Sequence, residues 1–146
     1  MKSGTINFGI MERVIFGEAT AAAIAKEAER IGAKKVFLLV GGTLNRETDE
    51  VTKIISALGP RFCGLHDNMP AHSPRDAVIE CANAARESKA DLLVTFGGGS
   101  VTDGGKAVTI CLEHGITDIN GLEPFRTTVD GTGKRHFTEY SAPTVR

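Results

Sequence analysis

"DLLVTFGGGSVTDGGKAV", residues 91–108, decides the reading of this chain. An apolar run, Leu92 to Phe96, halts at Gly97, Gly98 and Gly99, after which residues 100–114 resume with helical spacing. The switch of period predicts a buried strand that hands over to a helix through a glycine turn. Ser100 and Asp103 fit the S-x-x-D capping box that opens helices, so the helix is expected to begin near Ser100. Free N–H groups and the positive dipole end of such a helix favour a phosphate, and glycines let it approach the backbone. Gly104 and Gly105 would each cost about 1 kcal/mol relative to alanine inside a helix. Something close by is expected to compensate.

Working outward, the same alternation recurs. "TAAAIAKEAERIG", with Thr20 as N-cap, carries Ile24, Ala28 and Ile31 at helical spacing and stops on Gly32. "KKVFLLVGG" places an unbroken apolar run at Val36 to Val40, the pattern of a strand covered on both faces. "RETDEVTKIISALGP" aligns Val51, Ile54, Ile55 and Leu58, and "RFCGL" is a weaker strand candidate. Ser73 as cap, Pro74 at the first helical position and Asp76 closing a capping box predict a third helix running to about Lys89. Strands alternating with helices imply an α/β domain with a parallel sheet flanked by helices, a Rossmann-like arrangement. Ligands of such sheets bind beyond the strands' carboxyl ends, so residues 97–99 should sit at the carboxyl end of a central strand. Beyond Gly115, "TTVDGTGKRHF" reads as a C-terminal β-hairpin, and "FTEYSAPTVR" leads to the end.

At 146 residues one domain is the default, and 17 basic against 18 acidic residues leave a net charge of -1. No global field draws such a chain to nucleic acid or to an anionic membrane, and any anion site must be local. The apolar runs are all too short for a membrane span. Cys63, Cys81 and Cys111 are odd in number and lack CxxC spacing, which points to a reducing cytoplasmic setting. His66, His72, His114 and His136 include no i, i+4 pair, so none is expected to hold a metal. Loop or helix-end positions are their plain alternative.

Two glycine motifs fail. A P-loop ending at Gly105-Lys106 would need its first glycine at Ser100 and a hydroxyl at Ala107. A G-x-G-x-x-G starting at Gly97 would need glycine at Thr102.

"GGGSVTDGGKAV" instead resembles the GGGSxxDxxK signature of the iron-dependent alcohol dehydrogenase family. That family includes maleylacetate reductases and is related in fold to dehydroquinate synthase. The similarity runs from "RVIFGEATAAAIAKEAERIGAKKVFLLV" to "SAPT", nearly the whole chain. The resemblance implies that residues 1–146 are the family's N-terminal nucleotide-binding domain. Gly97, Gly98, Gly99 and Ser100 would cradle the pyrophosphate of NAD or NADP. Asp103 would cap beside the cofactor, Lys106 would add a cation one turn on, and Thr144 would join the cofactor contacts. Gly104, where the family usually has a side chain, should enlarge the space. In "VGGTLN", a strand-exit turn, Gly41, Gly42 and Thr43 offer no carboxylate to repel a 2′-phosphate, and their N–H groups could bind it. NADP is therefore favoured over NAD. "HSP" at His72 to Pro74 matches the loop where the family often has Asn-Pro.

The family's iron or zinc belongs to a helical second domain, expected outside these 146 residues. Alcohol or carbonyl chemistry, with a small alcohol, aldehyde or ketone as substrate, is thus implied for a full-length parent and not for this stretch alone. An apolar face left open toward that domain would favour self-association, so a homo-oligomer is expected. A free nucleotide-binding module and a dehydroquinate synthase-related domain are the alternatives.

Overall fold

The computed structural model describes residues 12–136 and Val145. Thr144 and nearly all of "FTEYSAPTVR" lie outside the described residues. The elements are α1 (Thr20–Arg30), β1 (Val36–Val40), α2 (Gly42–Glu47), α3 (Glu50–Leu58), β2 (Phe62–His66), α4 (Arg75–Glu87), β3 (Leu92–Phe96), α5 (Gly99–Glu113), β4 (Thr128–Val129) and β5 (Arg135–His136). Short 3-10 turns cover Gly59–Arg61 and Ile119–Phe125.

β1 is the middle of a three-stranded parallel sheet of order β2-β1-β3. All five of its residues are buried, as the unbroken run required. Val36, Leu38 and Val40 pack with Ala28 of α1 and with Val51, Ile54 and Leu58 of α3. Phe37 and Leu39 face the other way, into a core with Val78, Cys81 and Ala85 of α4 and Val108 and Cys111 of α5. One strand thus divides two cores, and helices cover both faces of the sheet. At the sheet's amino end the Asp91 carboxylate accepts from the N–H groups of Lys34 (2.8 Å) and Lys35 (2.9 Å), while the Asp91 N–H donates to the Lys35 carbonyl at 2.9 Å. This reciprocal clamp ties the entries of β1 and β3 together, and both strands reach their carboxyl ends in step, Val40 opposite Phe96. β4 and β5 form the expected antiparallel hairpin.

The structure corrects several expectations. Among the described residues β3 lies at the sheet edge and β1 is central, so the glycine turn leaves an edge strand. α1 begins on Thr20 with Ala19 as its cap, and α4 ends at Glu87, before Lys89 turns left-handed at φ 54°. Neither capping box forms. Pro74, not Ser73, caps α4, and Asp76 Oδ1 accepts from the adjacent Ala77 N–H. α5 starts one residue early, at Gly99, which moves Ser100 inside the first turn and beyond reach of the capping position. The Gly41–Gly42 stretch is more than a turn, since the chain coils at once into α2.

Candidate functional site

The carboxyl end of β3 carries the site. At Gly98 and Gly99 an added Cβ would meet nothing within 4 Å, and both residues are exposed. These two glycines leave open space. Gly97 differs: its Cβ would lie 2.9 Å from Val101 Cγ2 and 3.2 Å from the Gly41 nitrogen. It is small because β1, β3 and α5 converge there. Gly104 and Gly105 are buried and likewise filled by protein. A Cβ on Gly104 would meet Met69 Cε at 2.8 Å, and one on Gly105 would meet Thr95 Cγ2 at 2.3 Å. The compensation expected for glycines inside a helix is close packing of α5 on β3 and on the Met69 side chain. Gly104 therefore gives room to Met69 and does not enlarge a ligand cavity.

The Val101 and Thr102 N–H groups both donate to the Gly98 carbonyl, each at 3.1 Å. Those of Gly99 and Ser100 find no acceptor among the described residues, as the geometry of a helix start requires. They lie at the positive end of a 15-residue helix, beside the open space over Gly98 and Gly99. The Ser100 hydroxyl is held by the neighbouring loop. His72 N–H donates to Ser100 Oγ at 3.2 Å, and Ser73 Oγ donates to the Ser100 carbonyl at 2.7 Å. Because Ser100 Oγ accepts here, its own hydrogen remains free to donate. The loop takes a costly shape to do this: His72 and Ser73 are both left-handed, at φ 65° and 48°. For residues with a Cβ that conformation costs roughly 1–2 kcal/mol each.

The β1 exit lies alongside. Gly41 N–H donates to the Phe96 carbonyl at 2.9 Å, so it is spent on joining the two strand exits and cannot serve a ligand. A Cβ on Gly42 would lie 2.7 and 2.9 Å from the two Nη atoms of Arg46 and 2.9 Å from the Asp67 carbonyl oxygen. The space over Gly42 is therefore taken by the Arg46 guanidinium, one helical turn away in α2. The Asp67 carboxylate, leaving β2, accepts from the Asn45 amide at 2.7 Å. Thr43 is exposed at the start of α2. Arg46, Asn45 and Asp67 were missed by sequence reasoning. Recognising a helix right after Val40 would have exposed the Gly42–Arg46 i, i+4 spacing.

Asp103 and Lys106 are brought together rather than aimed at the turn: Lys106 Nζ donates to Asp103 Oδ1 at 2.9 Å on the exposed face of α5. Among the described residues no three His, Cys, Asp or Glu side chains converge as metal ligands. His66 is neither in a loop nor at a helix end. It is buried at the end of β2, with Nε2 lacking a hydrogen-bond partner. Burial pushes the Cys81 thiol up to about 12, with Glu80 and Cys111 adding to the rise, which leaves Cys81 a core residue and not a nucleophile. No helix among the described residues is long and apolar enough to cross a membrane.

A strand that leaves a parallel sheet through open glycines into an uncapped helix is the arrangement expected of the resembled family. The sequence profile of iron-containing alcohol dehydrogenases matches residues 11–143. The chain belongs to that family. Maleylacetate reductase 2 of Cupriavidus pinatubonensis is 36% identical over 104 residues, which cover 71% of this chain and 28% of the relative. Methanol:N,N-dimethyl-4-nitrosoaniline oxidoreductase of Amycolatopsis methanolica is 27% identical over 128 residues, 85% of this chain and 29% of the relative. The chain spans less than a third of the length of the curated family members it matches. Among solved structures, sulfoacetaldehyde reductase from Bifidobacterium kashiwanohense, in complex with NAD+, superposes with a TM-score of 0.63 at 26% identity, covering 81% of this chain and 29% of that one. Maleylacetate reductase from Agrobacterium tumefaciens shares the fold, with a TM-score of 0.66 at 21% identity over 99% of this chain and 41% of that one.

Proposed function

We propose that these 146 residues form the dinucleotide-binding domain of an oxidoreductase that moves hydride between a small alcohol and its aldehyde or ketone. The observation that carries this reading is the pairing of open space over Gly98 and Gly99 with the unspent N–H groups of Gly99 and Ser100. A pyrophosphate fits such a cradle: backbone donors and the helix dipole supply positive potential without a cation whose own hydration must be stripped. The Ser100 hydroxyl, oriented by His72, adds a donor. Gly97 brings the β1 exit within reach of the same ligand, so Gly41, Gly42 and Thr43 border it. Thr144 remains a proposed contact, while Asp103 and Lys106 contribute as a neutral pair at the rim. When bound, the nicotinamide supplies or accepts the hydride. This chain's residues bind and orient it.

The polarising iron or zinc and the substrate pocket are assigned to a helical domain outside these residues. The same reading makes the protein a cytoplasmic homo-oligomer that engages neither nucleic acid nor membrane. Isothermal titration with NAD and NADP tests the site. Gly99→Val should weaken dinucleotide binding by about a hundredfold or more, since a branched side chain would stand where backbone donors must meet the phosphate. The thermal midpoint should be retained. Undiminished binding by a folded Gly99→Val protein would overturn the assignment.

A further inference from the structure

We propose that Arg46 is the residue that recognises the 2′-phosphate of NADP, because its guanidinium lies over the side-chain-free Gly42 at the β1 exit, beside the open turn of β3. The inference rests on the dinucleotide reading of that turn and adds what selects between the two dinucleotides. Three observations carry it. The β1 and β3 exits are joined, Gly41 N–H to the Phe96 carbonyl at 2.9 Å, so a ligand anchored by phosphate at Gly99 has its adenosine ribose beside the β1 exit. Among the backbone donors there, the Gly41 N–H is spent on the Phe96 carbonyl and is not available to select. Arg46, by contrast, is exposed and has no carboxylate partner among the described residues. It is a cation placed at the site and not consumed by an ion pair.

Gly42 is what admits Arg46. A Cβ there would lie 2.7 Å from one Nη and 2.9 Å from the Asp67 carbonyl, and the carbonyl, being backbone, cannot swing aside. The position is thus closed to the acidic side chain that would bond a ribose 2′-hydroxyl. A planar guanidinium can take two phosphate oxygens at once, which suits a 2′-phosphate better than a hydroxyl. The nearby Asp67 carboxylate opposes an anion, and its Asn45 partner holds it at 2.7 Å without neutralising its charge.

The test is titration of the wild-type, Arg46→Gln, Arg46→Lys and Asp67→Asn proteins with NADP and NAD. Wild type should prefer NADP. Arg46→Gln should weaken NADP by about tenfold or more, the scale of one charge-assisted contact, and leave NAD within about twofold. Arg46→Lys should fall between, and Asp67→Asn should tighten NADP. A preference of the wild type for NAD, an unchanged NADP affinity in Arg46→Gln, or an equal loss for both dinucleotides would each overturn the role of Arg46 while leaving the glycine turn standing. Binding of neither dinucleotide by the folded wild type would overturn both.

Discussion

Gly98 and Gly99 lie six residues before Gly104 and Gly105, yet the two pairs owe their lack of a side chain to opposite causes. The first pair looks onto empty space, and nothing in the protein would obstruct a Cβ. The second pair is walled in, by Met69 and by Thr95. In the first case the vacancy is open, and the proposed dinucleotide would fill it. In the second it is already occupied by the protein itself. A glycine-rich motif is therefore two devices in series: a cradle, and a contact that presses α5 against β3 so that the cradle stays at the sheet's edge.

The contrast can be broken by one substitution made at three places. Gly105→Ala should show the largest effect, a loss of about 1–3 kcal/mol of stability, because overpacking against the short, branched Thr95 leaves no stem to swing and the gain in helix propensity is smaller. Gly104→Ala should cost less, since Met69 is flexible enough to move. Gly99→Ala should be neutral or stabilising, because there the alanine meets nothing and restricts the unfolded chain. Urea unfolding of the three variants checks the order. Equal losses at positions 99 and 105 would erase the distinction between cradle and contact.

How much of this was legible follows from what each signal depends on. The five apolar residues of β1 and the spacing of Val51, Ile54 and Leu58 needed only local periodicity, and their elements stand where periodicity put them. The capping boxes at Ser73 and Ser100 had the right spelling but did not form. Ser73 bonds the Ser100 carbonyl in the first turn of α5 and Ser100 Oγ accepts from the His72 N–H, contacts that no local window contains. Gly42 read as a carboxylate-free backbone donor, and the Arg46 side chain above it becomes visible only once α2 is known to begin at that residue. The filled glycines needed Met69 and Thr95, distant in sequence and adjacent only after folding. Local elements were readable; the occupancy of space around the site was not.

The serine exchange sharpens the comparison between the cradle and its support. Ser73→Ala removes the bond from Ser73 Oγ to the Ser100 carbonyl but keeps the left-handed backbone, whereas Ser73→Gly removes the bond and relieves the backbone together. The alanine variant should lose about 1 kcal/mol, the net worth of one hydrogen bond, and the glycine variant less, because glycine adopts positive φ without penalty. Dinucleotide affinity should drop in both, since Ser73 supports the turn without touching the ligand. An alanine variant as stable as wild type would mean that the loop is held by other contacts.

The smallest effect belongs to the hairpin, the region farthest in character from the packed sheet. There a single carboxylate organises the turn: Asp130 pairs with His136 Nε2 at 2.7 Å, and its other oxygen accepts from the Thr132 N–H (2.9 Å), the Thr132 hydroxyl (2.6 Å) and the Lys134 N–H (3.1 Å). The His136 contact first, and then the Thr132 hydroxyl, hold the Asp130 carboxyl well below the usual carboxylate range. The sign is set by that depression. A carboxyl whose folded pKa lies below its unfolded value contributes stability above the unfolded pKa and loses it as pH falls through the folded one. The stability of the hairpin should therefore decline progressively as pH falls from the ordinary aspartate range to well below it, while the sheet with its apolar cores responds little. Amide exchange at Thr132 and Lys134 reads the opening. Asp130→Asn should open the hairpin and flatten the profile, and a wild-type protection that levels off just below the ordinary aspartate pKa, without continuing to fall as pH drops further, would show that these four donors do not hold the carboxylate in solution.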